Sequence, residues 1–297
     1  MEILLKIFKQ TFWQIIGKVV TSISTFIILG LVARNYGEEG TGVFTLALTY
    51  LTMFYLLSDF GFNAHTLREV KESKLKFKSE WRKLLGARLL WSLVLMVVAT
   101  VTLPFWPFAT ISFSQAVLYA SLAIVGSAIF VSCNLLFQNK LRYDLSVLAS
   151  SLGTITSLVF FTYLILQKYP VQFLLLGHLL GSLVTAAVAT VLMKKFIPRV
   201  DPLFNLAYIK SLFSNSWPIA ATLALNIIYF RADSFMISFY KGISEVGVYN
   251  VAYTLFQSAL VLPTFIMNAY YPLMLKSQSK IKIIATGLIL LAFLTTI

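Results

Sequence analysis

Long apolar runs separated by short charged or turn-forming breaks pattern this chain from end to end. The runs are about 20 residues long, enough for a helix to cross a ~30 Å hydrocarbon core, and they lack the short in-out alternation of membrane β-strands. The pattern predicts helical spans over about 12–33, 41–62, 84–108, 114–138, 145–167, 171–193, 211–240 and 246–268. A ninth run begins near Ile281 and reaches Ile297 without closing interface residues. The expected fold is therefore all-α, a polytopic membrane protein of about nine transmembrane helices whose second bundle is incomplete.

The breaks organise the spans. A charged connector over 63–83 carries Arg68, Lys71, Lys74, Lys76, Lys78, Arg82 and Lys83, and a second basic one over 194–210 contains Pro198 and Pro202. The second connector divides the chain into an N-terminal lobe, 1–197 with spans 1–6, and the start of a C-terminal lobe, 198–297 with spans 7–9. The proline-broken aromatic segment Pro104–Phe108 suits a membrane interface.

The break between spans 1 and 2 occurs twice. Shifting the chain by 205 positions lays Arg34–Thr49 on Phe239–Thr254 without gaps, matching Gly37 with Gly242, Gly42 with Gly247, Val43 with Val248, Ala47 with Ala252 and Thr49 with Thr254. Roughly one identity is expected by chance over such a window, so these five point to a helix–turn–helix unit used twice. Six spans separate the copies, an even number, so both should cross the membrane in the same direction. The lobes should then be related by rotation about the membrane normal.

Composition agrees with this reading: hydrophobic residues make up 59% and charged residues 12%, far from a soluble globular chain. The net charge of +13 matters less than its distribution. With the N-terminus in the cytosol, eighteen Lys and Arg fall in cytosolic segments, against Arg34, Lys168 and Lys241 outside, a strong positive-inside asymmetry. Cys133 is the single cysteine, which excludes an intrachain disulfide.

The candidate chemistry lies within the spans. Thr45, Thr49 and Thr52 of span 2 correspond under the shift to Asn250, Thr254 and Gln257 of span 8, each set on one helix face. Such stripes either line a central cavity or join helices, as Thr and Asn often do in membranes. Lys18, Thr21, Ser22 and Thr25 share one side of span 1; Thr222, Asn226, Tyr229 and Asp233 share one face of span 7, and Thr21 maps onto Asn226. Ionisable groups at membrane depth usually face a bundle interior or water, so Lys18, Arg231 and Asp233 lead the candidates for substrate contact, with Lys18 also able to snorkel to cytosolic headgroups. Arg231 and Asp233, two apart, should not pair on a regular helix. Arg88, a turn inside span 3, is expected to snorkel, and Asp59 to be solvated or paired with the connector. His178 reads as a hydrogen-bonded histidine rather than a proton relay. No hydrolase, P-loop or zinc-protease motif is present, and the external loops are short, so neither an enzyme nor a cofactor or metal is expected.

Three segments also carry a resemblance: LVARNYGEEGTGVFTLALTYLTMFYLLSDFGF with NAHTLREV (31–70), FQNKLRYDLSVLASSLGTITSLV (137–159) and RADSFMISFYKGISEVGVYNVAY (231–253). In order and spacing they resemble polysaccharide biosynthesis and export proteins of the O-antigen flippase type, within the multidrug/oligosaccharidyl-lipid/polysaccharide flippase superfamily. The resemblance implies two lobes around a cavity, in the bacterial cytoplasmic membrane. Alternating access there would move an undecaprenyl-diphosphate-linked oligosaccharide outward, with cationic residues holding the diphosphate. The residues read above as facing the interior, Lys18, Asn226, Arg231, Asp233, Asn250 and Gln257, are then the expected substrate contacts. Its implied partners are the lipid-linked oligosaccharide, membrane lipids and polysaccharide assembly proteins, and no nucleic acid. A drug exporter of the same superfamily and a membrane-embedded glycan polymerase remain alternatives. A polymerase should show a large external loop, and an exporter of cationic drugs a carboxylate-rich cavity.

Overall fold

A computed structural model of the chain describes residues 2–69, 74–106, 108–198 and 201–259, with side chains over 10–67, 77–106, 108–198, 201–226 and 228–256. The ninth expected span and the end of the eighth lie outside the described residues. The regular elements described are helices: α1 (Glu2–Asp59), α2 (Phe62–Glu69), α3 (Lys74–Val101), α4 (Ile111–Ala120), α5 (Ala123–Asn139), α6 (Tyr143–Leu166), α7 (Val171–Met193), α8 (Leu206–Tyr240) and α9 (Ile243–Ala259), with a 3₁₀ turn at Leu103–Phe105.

α1 holds the first two expected spans. An unbroken helix of its 58 residues would run ~87 Å, far beyond a bilayer. At Gly37 the backbone takes φ 65° and ψ −165°, a conformation essentially reserved for glycine, and this redirects the chain. α1 touches each helix from α3 to α9. Among the described residues, five helical stretches are long and apolar enough to cross a membrane: the broken stretch 10–67, Phe77–Val101, Ile111–Asn139, Tyr143–Leu166 and Val171–Met193. α8 is 35 residues long and carries Pro218 within it.

Two expectations change in detail. The first basic connector is largely helical, because Lys74–Arg88 contains glycine only at Gly86 and no proline, and lysine, glutamate and arginine propagate a helix well. The fourth span is two helices, α4 and α5, parted at Ser121, whose hydroxyl donates to the Leu118 carbonyl at 3.0 Å.

Burial concentrates in two clusters. One gathers Val32, Phe44, Tyr50, Phe113, Phe161 and Val246; the other gathers Phe62, Trp81, Leu84, Phe137, Ala149 and Leu212. Tyr50 buries its ring in the first and donates its hydroxyl to the Ala99 carbonyl at 2.7 Å. Val94, Val97, Val98 and Val101 of α3 and Leu148, Leu152, Ile155 and Val159 of α6 stand exposed at helical spacing, apolar faces of the kind that meet lipid.

α8 leans on the first six spans at both ends. Before it starts, the Leu203 amide donates to the Arg82 carbonyl at 3.0 Å, and Asp201 pairs with Arg82. Phe213 then packs against Phe60, Phe62 and Trp91, with ring centroids 4.8, 5.1 and 5.1 Å away, and near the other end Phe235 stacks on Trp106 at 5.7 Å.

Candidate functional site

The two copies of the repeated unit meet each other, equivalent residue against equivalent residue. A Cβ built on Gly42 would lie 2.0 Å from the Ile243 carbonyl oxygen, and one on Gly247 would lie 2.7 Å from the Glu38 oxygen and 2.8 Å from the Gly42 nitrogen. Glu38 and Ile243 are themselves 205 apart, so the contact is reciprocal, as at a two-fold axis. A turn further on, Asn250 Nδ2 donates to Thr45 Oγ1 at 3.3 Å, again across 205 positions. Contacts at a constant offset mean that the second half of α1 and α9 run parallel here, which fits rotation about an axis along the helices. The missing side chains at Gly42 and Gly247 are what let the backbones approach this closely.

The polar stripes predicted from the sequence therefore converge on the axis. Thr45, Thr49 and Asn250 are buried, at 6%, 5% and 4% exposure. Asn250 Oδ1 also accepts from Ser234 Oγ at 2.8 Å, while Thr45 and Thr254 return their hydroxyls to the carbonyls four residues back, at 2.9 and 2.7 Å. Gln257 follows on α9, its side chain outside the described set.

On α8, Thr222, Asn226 and Tyr229 share an exposed face, and Asp233 and Arg231 are partly buried. The Asp233 carboxylate accepts the Tyr249 hydroxyl and, at 2.7 Å, the Ser234 amide. Among the described residues Arg231 makes no ion pair, although the Asp233 charge acts on its guanidinium. Lys18 is partly buried, and no polar contact joins it to Arg231, Asp233 or Asn250 within the described set.

At the opposite end of the bundle, a cleft of about 290 Å³ lies between Leu57 and Phe60 on one side and Trp217, Ala220, Ala221, Leu223 and Ala224 of α8 on the other, with a wholly apolar lining.

Arg88 overturns its expectation. It does not snorkel but is fully buried in the second core cluster. Its guanidinium donates to Asp59 Oδ1 at 2.7 Å, Asn63 Oδ1 at 3.0 Å and Ser132 Oγ at 3.0 Å, and sits 5.7 Å from the Phe62 ring centre. Asp59 is thus paired, but with span 3 rather than with the connector. The sequence places a lone carboxylate closing span 2 and a lone cation one turn into span 3 at the same membrane depth, but does not make them neighbours. His178 is hydrogen-bonded as expected, its Nε2 2.8 Å from the Tyr55 hydroxyl and its ring stacked on that tyrosine.

A bundle of long apolar helices holding two in-register repeat copies is the build of a multi-pass membrane protein, and solved structures share the fold. The chain is similar to the MATE multidrug transporter DinF-BH, solved in complex with a ligand, with a TM-score of 0.67 at 14% identity over 95% of this chain and 68% of that one. A second MATE structure, solved in complex with Br-NRF, gives 0.63 at 14% identity over 95% and 71%. These likenesses show the fold. The family follows from sequence: the model of the polysaccharide biosynthesis protein family matches residues 7–278, and the chain belongs to that family. Among curated relatives it is similar to a Shigella dysenteriae protein provisionally described as an O-antigen transporter, 23% identical over 267 residues and 88% of this chain. The chain spans 66% of that relative's length.

Proposed function

We propose that this protein moves a lipid-linked oligosaccharide, an undecaprenyl-diphosphate carrying a polysaccharide repeat unit, from the cytosolic to the outer leaflet of the bacterial cytoplasmic membrane. It would act by alternating access and not as an enzyme, through rocking of a lobe formed by residues 1–197 against one beginning at 198, with the N-terminus in the cytosol. Lys18, Asn226, Arg231, Asp233, Asn250 and Gln257 are the residues proposed to meet the cargo. The observation that carries this reading is Arg231. Arg231 is a partly buried guanidinium that makes no ion pair among the described residues, while the Asp233 carboxylate, whose charge acts on it, accepts from Tyr249 and Ser234. A planar guanidinium suits the paired oxygens of a diphosphate.

The family match and the transporter relative support a polysaccharide cargo. The drug-exporter rival draws only on the shared fold, since its solved examples are 14% identical. The polymerase rival needs a large external loop, whereas the described turns after Val101, Leu166 and Tyr240 are short.

The test is export of surface glycan in cells lacking their own transporter, complemented by full-length protein. Arg231→Ala should abolish export at unchanged protein level, and Arg231→Lys should restore it in part, because an ammonium supplies charge without the bidentate fork. Wild-type export by the alanine variant at normal abundance would remove Arg231 from the cargo path.

A further inference from the structure

The contact on the pseudo-two-fold axis joins two different surfaces in one place. Its backbone layer is tight, with Gly42 and Gly247 each against the carbonyl of the other copy, so that neither water nor a solute passes between them. Its side-chain layer is polar. Thr45, Ser234 and Asn250 are 6%, 0% and 4% exposed. A long hydrogen bond, Asn250 Nδ2 to Thr45 Oγ1 at 3.3 Å, ties the two copies side chain to side chain. None of the described ion pairs crosses it: they join Arg82 to Asp201, Lys83 to Glu80, Arg88 to Asp59 and Arg142 to Asp144.

A contact meant to stay shut gains from apolar packing, and buried neutral polar groups with a weak cross-link give that up. Such groups suit a surface that is dry in one state and wet in another, since water or a ligand can replace each bond lost when the helices part. They carry no positive charge to balance an anionic headgroup. Hydroxyl and carboxamide groups on one wall match the hydroxyls of a carbohydrate.

We propose that the Gly42–Gly247 and Thr45–Asn250 contact is a reversible seal, and that its parting uncovers Thr45, Ser234 and Asn250 as a surface binding the sugar hydroxyls of the cargo. This rests on the transport reading above and assigns a division of labour within it: the cation on α8 takes the diphosphate, and the axial surface takes the glycan only when the seal is open.

The experiment uses full-length protein in membranes, with Cys133→Ala as background. Asn250→Cys should react with a charged, water-soluble maleimide at a slow but measurable rate relative to an exposed control, Tyr240→Cys. Dextran-like oligosaccharide at high concentration should slow that reaction several-fold, whereas inorganic pyrophosphate should not. The pair Glu38→Cys with Ile243→Cys, which flanks the Gly42–Gly247 contact and has no assigned cargo role, should export glycan until a short bis-maleimide joins the two cysteines, and then stop. No labelling of position 250 while position 240 reacts fully, labelling unaffected by the oligosaccharide, or undiminished export by the joined pair would each overturn the proposal. Labelling at 250 protected by oligosaccharide, in a protein that exports no glycan, would uphold the seal and its sugar-binding surface and overturn the flippase reading instead.

Discussion

Removing the Asp59 carboxylate should cost more stability than removing the Arg88 guanidinium it pairs with. The asymmetry follows from burial. The Arg88 side chain is 0% exposed and that of Asp59 30%. Asp59→Ala leaves a cation in a dry core with only Asn63 and Ser132 as partners, a situation that costs ~3–5 kcal/mol. Arg88→Met instead leaves a carboxylate that reaches water and fills the stem's volume with a flexible apolar chain, so the loss should be ~1–2 kcal/mol of charge-assisted hydrogen bonding. The double variant has no charge left to bury and should match Arg88→Met rather than Asp59→Ala, a coupling of ~3–5 kcal/mol in a double-mutant cycle. At roughly 2 °C per kcal/mol for a chain of this size, thermal unfolding in detergent should show a Tm lower by ~6–10 °C for Asp59→Ala and by ~2–4 °C for the other two. A larger loss for Arg88→Met, or simple additivity in the double variant, would refute the reasoning.

Two further predictions are more direct. Gly247→Ala places a methyl group 2.7 Å from the Glu38 oxygen and 2.8 Å from the Gly42 nitrogen, both backbone atoms, so the helices must separate at a cost of ~1–3 kcal/mol. Differential scanning fluorimetry should show the lower Tm, and wild-type melting would mean the crossing is looser than the geometry states. In topology mapping, a cysteine at position 244 should be labelled from outside intact cells and one at position 76 only after permeabilisation, as the positive-inside asymmetry requires; the opposite pattern would invert the orientation.

The all-helical class and the place of most described helices were legible because a span must satisfy its own backbone and so announces itself as a long apolar run. α7, Val171–Met193, sits where the pattern put the sixth span. The repeat was legible through five identities, and the parallel direction of its copies through the even number of spans between them. Pairings between helices were not legible. Arg88 at a span end looks the same in sequence whether it reaches for headgroups or for a carboxylate on the next helix, and depth alone does not say which neighbour is in reach. Similarly, Thr45 and Asn250 were readable as a stripe, but that the stripes face each other depends on two glycines that remove the bulk between them. The helical start of α3 was missed because charge was read as a break, though nothing between Lys74 and Lys83 opposes a helix.

The reciprocal contact also bears on how the two halves can diverge after a duplication. Away from the axis, each copy packs against its own neighbours, and a substitution in one places no demand on the other. On the axis a position faces its own counterpart, so the two copies drift there as one unit. Gly42 and Gly247 stay identical because neither can enlarge without displacing the other's backbone. Thr45 and Asn250 differ, and the difference supplies a carboxamide donor for a hydroxyl acceptor. Asymmetry in this molecule is thus tolerated at the one place where each half confronts its duplicate, provided that it comes as a complementary pair.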